Sequence, residues 1–253
     1  MRYLLWGFLF ILPSSGQSLG MLEEAMTGYL GATYVAGRLD EGVERVWVQR
    51  DSLDCVTFVE NVLARAFARD SSEVEQYLRV LRYRDDDDVR YSNRLHYFSD
   101  WMAQNTREGY LLPTHPAAAF MTNRTQHYSF MSANAVAYAP MVRDAQLVQE
   151  IEGVESRLSG SKLSFIATAD VASAQLVFQT GDVIAFVTDI EGLDVVHTAL
   201  IWRPEDTNKV GFMHASPGRG VVIESSLLDY LTNRSRVIGI MIARPDLPRL
   251  GSQ

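Results

Sequence analysis

Hydrophobic rhythm changes once along this chain of 253 residues. From Asp54 the apolar residues Val56, Val59, Leu63, Ala66 and Phe67 recur at three- and four-residue intervals, the period of one helix face. Past Gly181 the pattern shortens to β-rich runs bounded by turn residues: Gly181–Thr188, Val195–Trp202, Val210–His214, Gly220–Glu224 and Val237–Ala243. Ser225–Leu231 reads as a short helix between the last two. Ser72-Glu-Val-Glu75 has the form of a capping box and predicts a second helix through Leu81. Arg94–Gln104 reads as a third helix and Val142–Leu158 as a fourth, stopped near Gly160. Residues 20–50 hold a short helical stretch and a glycine-punctuated loop, Gly28–Gly37. Helices first and antiparallel strands afterwards make an α+β fold, with N-terminal helices on one face of a C-terminal antiparallel sheet.

No repeat and no Pro/Gly/Ser-rich linker divides the chain, so residues 19–253 read as one domain. Met1 and Arg2 precede an apolar run, Tyr3–Leu12, followed by Pro13 and the small residues Ser14, Ser15, Gly16 and Ser18. That is the pattern of a secretory signal peptide over residues 1–18, and the run is shorter than the roughly 20 residues of a membrane-spanning helix. An exported protein, periplasmic or secreted, without integral membrane association is therefore expected. The apolar fraction of 47% and charged fraction of 21% exclude disorder and coiled coil. A net charge of −8 argues against nucleic acid or an anionic membrane as partner.

The chain has one cysteine, Cys55. It can form no internal disulfide, and with no CxxC pair the common structural zinc sites are excluded, so no metal or cofactor is expected. Ser52 and Asp54 are good N-cap types, which places Cys55 in the first turn of a helix. There the macrodipole and unpaired amides favour the thiolate. A lone cysteine is more often a buried structural residue, and a nucleophilic one needs a base, usually histidine. Of the five histidines, His115 lies in a Pro-flanked turn, His127 in a polar loop and His96 in the third predicted helix. His197 begins one β run and His214 ends the next. A hairpin through Pro204–Lys209 can set them side by side, one to accept the thiol proton and one to orient it.

These residues resemble the papain-like cell-wall hydrolases of the NlpC type. Asp54-Cys55, a strand opening on His197, and Met213-His-Ala-Ser216 are similar to that group's nucleophile, base and third residue. Gly31-Ala-Thr-Tyr34-Val-Ala-Gly37 resembles its segment carrying an oxyanion-hole tyrosine. A narrower likeness rests on six blocks in order: Leu53–Glu60, Arg82–Asp85, Ser92–Trp101, Phe130–Ser132, Gly181–Ile184 and Gly192–His197. They resemble the N-acetylmuramoyl-L-alanine amidase-like branch. The resemblance implies a papain-like fold and thiol-dependent cleavage of the muramoyl–L-alanine amide in peptidoglycan fragments, including anhydro-muramyl ones. It implies Cys55 as nucleophile, His197 as base and acid, His214 as its orienting partner, and Tyr34 with the Cys55 amide as oxyanion donors. Asp54 belongs to a pair that in γ-D-glutamyl-diamino-acid peptidases holds the free amine of L-alanine. Val56 replaces the serine of that pair, which tilts the reading toward an amidase. The alternatives are that endopeptidase, a non-catalytic cell-wall binding homologue, or an acyltransferase using the same thiol.

Arg94, His96 and Tyr97, with Trp101, form a stretch rich in sugar-binding types and are candidate substrate contacts, core packing being the alternative for the two aromatics. The acidic run Asp85–Asp88 lacks the glycine and bidentate glutamate of a calcium loop and reads as a solvated turn. Asn123-Arg-Thr and Asn233-Arg-Ser match glycosylation sequons, which arise often by chance. Ser216-Pro-Gly-Arg-Gly220 lacks the ending of a phosphate loop and reads as a turn between strands.

Overall fold

The computed structural model describes residues 15–84, 88–204 and 209–247. The apolar run of the expected signal peptide lies outside them, as do Asp85–Asp87 and most of the turn between the two histidine strands. Among the described residues no helix is long and apolar enough to cross a membrane.

In chain order the elements are α1 (Ser15–Thr27), β1 (Thr33–Tyr34), β2 (Ser52–Leu53), α2 (Cys55–Phe67), α3 (Val74–Arg82), α4 (Phe98–Arg107) and β3 (Met121–Thr125). Then come α5 (Phe130–Ala133), α6 (Ala139–Arg143), α7 (Ala145–Leu158), β4 (Lys162–Ala167), α8 (Val171–Ala174), β5 (Val183–Thr188), β6 (Val195–Trp202), β7 (Gly211–Ser216), β8 (Gly220–Glu224), α9 (Leu227–Thr232) and β9 (Val237–Ala243). A seven-stranded antiparallel sheet runs β3-β4-β9-β5-β6-β7-β8, and β1 and β2 form a separate parallel pair. The α+β class stands.

The helices cover both faces of the sheet, not one. Phe58, Val59, Val62 and Leu63 of α2 pack on Val183, Ala185, Leu200, Met213 and Ala215. The other face, with Ile184, Phe186, Ala199, Ile201 and Phe212, is closed by Val171 and Ala174 of α8 and Leu227 and Leu231 of α9. Every residue of β5 is buried, which explains its unbroken apolar run: a strand covered on both sides has no polar face to alternate with. Burying each large apolar side chain stabilises the fold by roughly 1.5–3 kcal/mol.

Three local expectations are corrected. No capping box opens α3, because the Ser72 amide and hydroxyl both turn to Asp70 (2.8 and 2.5 Å) while Glu73 pairs with Arg69. The third helix begins at Phe98, because residues before it pair with the end of α3 and the chain just after it: Leu95 N donates to Arg82 O at 2.8 Å and Arg84 N to Asn93 O at 2.9 Å. The fourth is two helices, since Asp144 turns extended and its carboxylate caps α7 through the Gln146 amide. Four strands, β1, β2, β3 and β4, are not among the β runs expected from sequence; β3 is a polar edge strand, Met-Thr-Asn-Arg-Thr, without an apolar alternation to reveal it.

Candidate active site

Asp54 is the N-cap of α2, as its residue type predicts. Its Oδ1 accepts from the Thr57 amide at 2.8 Å, and Thr57 Oγ1 accepts from the Asp54 amide at 2.9 Å, a reciprocal capping box. This box sets Cys55 at the first helical position, where its amide is one of the helix's unpaired donors. Two residues earlier, Leu53 pairs with Tyr34 in the β1–β2 ladder, which carries the tyrosine to the same end of α2. The chain before Tyr34 is pinned to β8: Gly31 N donates to Val221 O and Val221 N to Ala32 O, at 2.9 and 2.8 Å. Gly220 permits this, since a Cβ there would lie 2.4 Å from Ala32 O and its φ is +75°.

Tyr34 is half-buried, and burial pushes its hydroxyl up to about 12, with the neighbouring Cys55 and Asp54 adding to the rise. It therefore stays protonated at neutral pH and can donate a hydrogen bond.

The thiol is not the activated species that its helix-start position led us to expect. Cys55 is free and half-buried, and burial pushes it up to about 11, with the Asp54 carboxylate reinforcing the rise. Polar contacts from Thr198 and the Val56 amide act the other way and are outweighed. Desolvation of a thiolate wins over the helix terminus.

Pairing decides what faces the sulfur. Ala185 pairs with Thr198 and Phe186 with His197. Thr198 thus looks toward α2 with Ala185, and the His197 ring stacks 5.7 Å from Phe186 on the other side of the strand. A register shift between Phe186 and Val187 sits beside His197 at this end of the β5–β6 ladder, a place where bulges re-aim side chains. No hydrogen bond joins Cys55 to either imidazole among the described residues.

The two strand histidines do meet. His197 Nε2 and His214 Nδ1 are 2.6 Å apart, inside a shell of Phe186, Phe212 and Tyr230. Burial lowers both, His197 to about 3 with help from His214 and Arg234, so both rings are neutral at pH 7. His197 Nδ1 makes no hydrogen bond among the described residues. On its far side His214 Nε2 lies 3.3 Å from Glu224 Oε1, which also accepts from Arg219. Thr198 and Glu224 escaped the sequence reading, the first because it follows a histidine in an apolar strand, the second because it ends one.

The expected substrate contacts lie elsewhere. Arg94 is buried, paired with Asp40 at 2.8 Å and Glu44 at 3.2 Å, and rests over the Tyr91 ring. His96 is not on a helix: its Nε2 is 2.7 Å from Tyr91 O and its ring packs 4.5 Å from that of Tyr91. Tyr97 is 2% exposed and its hydroxyl donates to Glu155 at 2.6 Å, while Trp101 is fully buried. The core alternative holds for both aromatics, whose burial leaves no face for a sugar. His115 is buried against Asp182 and His127 is exposed.

A family model described as N-acetylmuramoyl-L-alanine amidase-like (AmiA-like) matches residues 25–240. The chain belongs to this amidase-like family. Membership supports a hydrolase of the peptidoglycan amidase type. An N-acetylmuramoyl-L-alanine amidase from Bacteroides uniformis has a similar structure, with TM-score 0.83 and 29% identity over 91% of this chain and 99% of that one. A Bacteroides fragilis protein provisionally named a xylanase is also similar, with TM-score 0.79 and 28% identity over 87% and 99%. A Legionella pneumophila protein at 21% identity and TM-score 0.68, covering 90% of each chain, shares the fold. No curated protein sequence matches the chain. Within this amidase-like chain, Cys55 and Tyr34 lie at the α2 N-terminus, His197 and His214 meet on β6 and β7 on the face that carries Phe186 and Phe212, and Arg94, His96 and Tyr97 are held by Asp40, Tyr91 and Glu155.

Proposed function

We propose that the protein is a thiol-dependent amidase that hydrolyses the N-acetylmuramoyl-L-alanine bond of peptidoglycan fragments, within the NlpC-type, papain-like superfamily. The observation that carries this reading is Cys55 at the capped start of α2, against the strand whose His197 is hydrogen-bonded to His214. Cys55 Sγ attacks the lactyl carbonyl carbon while its proton passes to His197 Nδ1, whose ring must come round from the Phe186 side of β6 to meet the thiol when substrate binds. Starting from a neutral pair, the proton moves as the C–S bond forms. Catalytic hydrogen bonds of this kind commonly tighten only with substrate bound. Tyr34 and the Cys55 amide stabilise the oxyanion. The C–N bond then breaks, His197 returns the proton to the L-alanine nitrogen, and a thioester remains. Water, deprotonated by His197, cleaves the thioester to the muramic carboxylic acid and the free thiol.

Val56, where a glutamyl peptidase of the superfamily has a serine, favours a substrate whose L-alanine amine is acylated. Glycoside hydrolysis uses paired carboxylates flanking the bond; a thiol with two imidazoles does not suit the xylanase name of one neighbour. The apolar N-terminal run supports export to the periplasm or medium, with residues 1–18 as signal peptide and 19–253 as one catalytic domain. The deciding experiment is digestion of defined muropeptides with mass analysis. Release of intact stem peptide with a free L-alanine amine is expected, and Cys55→Ala should abolish it while keeping the wild-type circular dichroism. Cleavage only after D-glutamate would identify the endopeptidase instead; no cleavage of any muropeptide would leave a binding homologue. Transfer to added amines in place of hydrolysis would identify an acyltransferase.

A further inference from the structure

The proton inventory of the histidine pair extends one residue beyond the pair itself. A neutral imidazole carries one N–H and one lone pair, so a hydrogen bond at one nitrogen fixes the role of the other. For His214 there are two arrangements. With the proton on Nδ1, His214 donates to His197 and turns its Nε2 lone pair toward Glu224 Oε1, 3.3 Å away. A carboxylate has only lone pairs to present, so that contact would be repulsive. With the proton on Nε2, His214 donates to Glu224, and its Nδ1 becomes an acceptor. His197 must then carry its own proton on Nε2 to make the 2.6 Å bond. That leaves the lone pair on His197 Nδ1, the nitrogen without a partner among the described residues.

We infer that Glu224 is a positioning residue: by accepting from His214 it sets the tautomers of both histidines in series and leaves His197 with its basic lone pair on Nδ1. The strand register supports this role. Glu224 pairs with Phe212 and His214 with Val222, so the carboxylate reaches the ring diagonally across the β7–β8 ladder. Arg219, in the turn between those strands, donates to the same Oε1 and holds the carboxylate in place. The ring itself cannot turn away easily, being in edge contact with Phe212, Tyr230 and His197. The simpler reading, that Glu224 merely pairs with Arg219 on an exposed hairpin, would leave the histidine tautomers indifferent to its removal.

This inference rests on His197 acting as the base, but the tautomers can be read without any substrate. Nitrogen chemical shifts of labelled histidine, at neutral pH, should show both His197 and His214 protonated at Nε2 in the wild-type protein. Glu224→Ala should move part of His214 to the Nδ1–H form and lower kcat at least about tenfold, toward the roughly 10⁴ that a wrong base tautomer costs in a Ser-His-Asp triad. KM should change little. Glu224→Gln keeps an accepting oxygen and should restore both the tautomers and most of kcat. A wild-type spectrum with His214 protonated at Nδ1 overturns the inference even if no variant folds. So does a Glu224→Ala spectrum unchanged from wild type. If the protein cleaves no muropeptide, the amidase reading falls while the tautomer measurement still decides the role of Glu224.

Discussion

His197 Nε2 lies 2.6 Å from His214 Nδ1, a bond between neighbouring antiparallel strands whose owners are 17 residues apart in sequence. Both rings are held neutral by burial, and the thiol across the strand is neutral for the same reason. In the proposed mechanism the thiol and both imidazoles therefore start uncharged, and charge develops on them only during attack. Such an arrangement places the demand on oxyanion donors and on the tautomer of the base.

Tyr34→Phe removes one hydroxyl that makes no hydrogen bond within the described protein. The expected result is a fall in kcat of about 10²- to 10³-fold, the usual cost of one oxyanion donor, with KM and thermal stability near wild type. Steady-state kinetics on a defined muropeptide measure it. Wild-type kcat would remove Tyr34 from the oxyanion site.

Asp54→Ala removes the carboxylate half of the capping box, the Oδ1 that accepts from the Thr57 amide and hydroxyl, and leaves the backbone amide of residue 54 on Thr57 Oγ1. It should cost about 0.5–2 kcal/mol of stability. Chemical denaturation monitored by tryptophan fluorescence gives the value. Since the same box seats Cys55, activity should drop further than the lost stability alone would explain; equal activity at equal folded fraction would show that the cap is structural only.

Alkylation of Cys55 reports its thiolate. With the thiol held at about 11, the rate of modification by iodoacetamide should climb about tenfold per pH unit through the neutral range, with no plateau below the ordinary thiol value. Mass spectrometry of timed samples follows it. A plateau near neutrality would mean a preformed thiolate and contradict the neutral resting pair.

Acid should destabilise the fold through His197. Its folded value, about 3, lies below that of the unfolded chain, near 6.5. The unfolded chain therefore takes up the proton first as pH falls. The stability at stake is full above about pH 6.5 and is lost progressively toward about pH 3, at roughly 1.4 kcal/mol per unit. His96, lowered well below its usual value by burial, contributes in the same direction. Urea midpoints at several pH values should show His197→Gln flattening this slope relative to wild type; parallel curves would refute it.

Much of the candidate site was legible where chemistry is local. Ser52 and Asp54 are N-cap types directly ahead of an apolar helical face, so the start of α2 and the position of Cys55 follow from sequence. The histidines could be paired because each lies at an end of a β run separated by one short turn. Arg94 and Tyr97 were misplaced because their fates depend on distant partners, Asp40, Glu44 and Glu155, which have no sequence proximity that would mark them, and His96 because the chain around it pairs with the end of α3 in place of forming a helix. The same holds for β3, a polar edge strand recognised only by its pairing with β4.

By itself the sequence determined the α+β class, the helix-start thiol and the two strand histidines, because hydrophobic period and capping act over a few residues. Only the tertiary structure decided the state of those groups. Burial at the α2 N-terminus and between packed aromatics, not helix polarity, sets the protonation of Cys55 and His197. Desolvation depends on everything that surrounds a group, and strand parity decides which neighbour it meets: Thr198 for the sulfur, Phe186 for the imidazole.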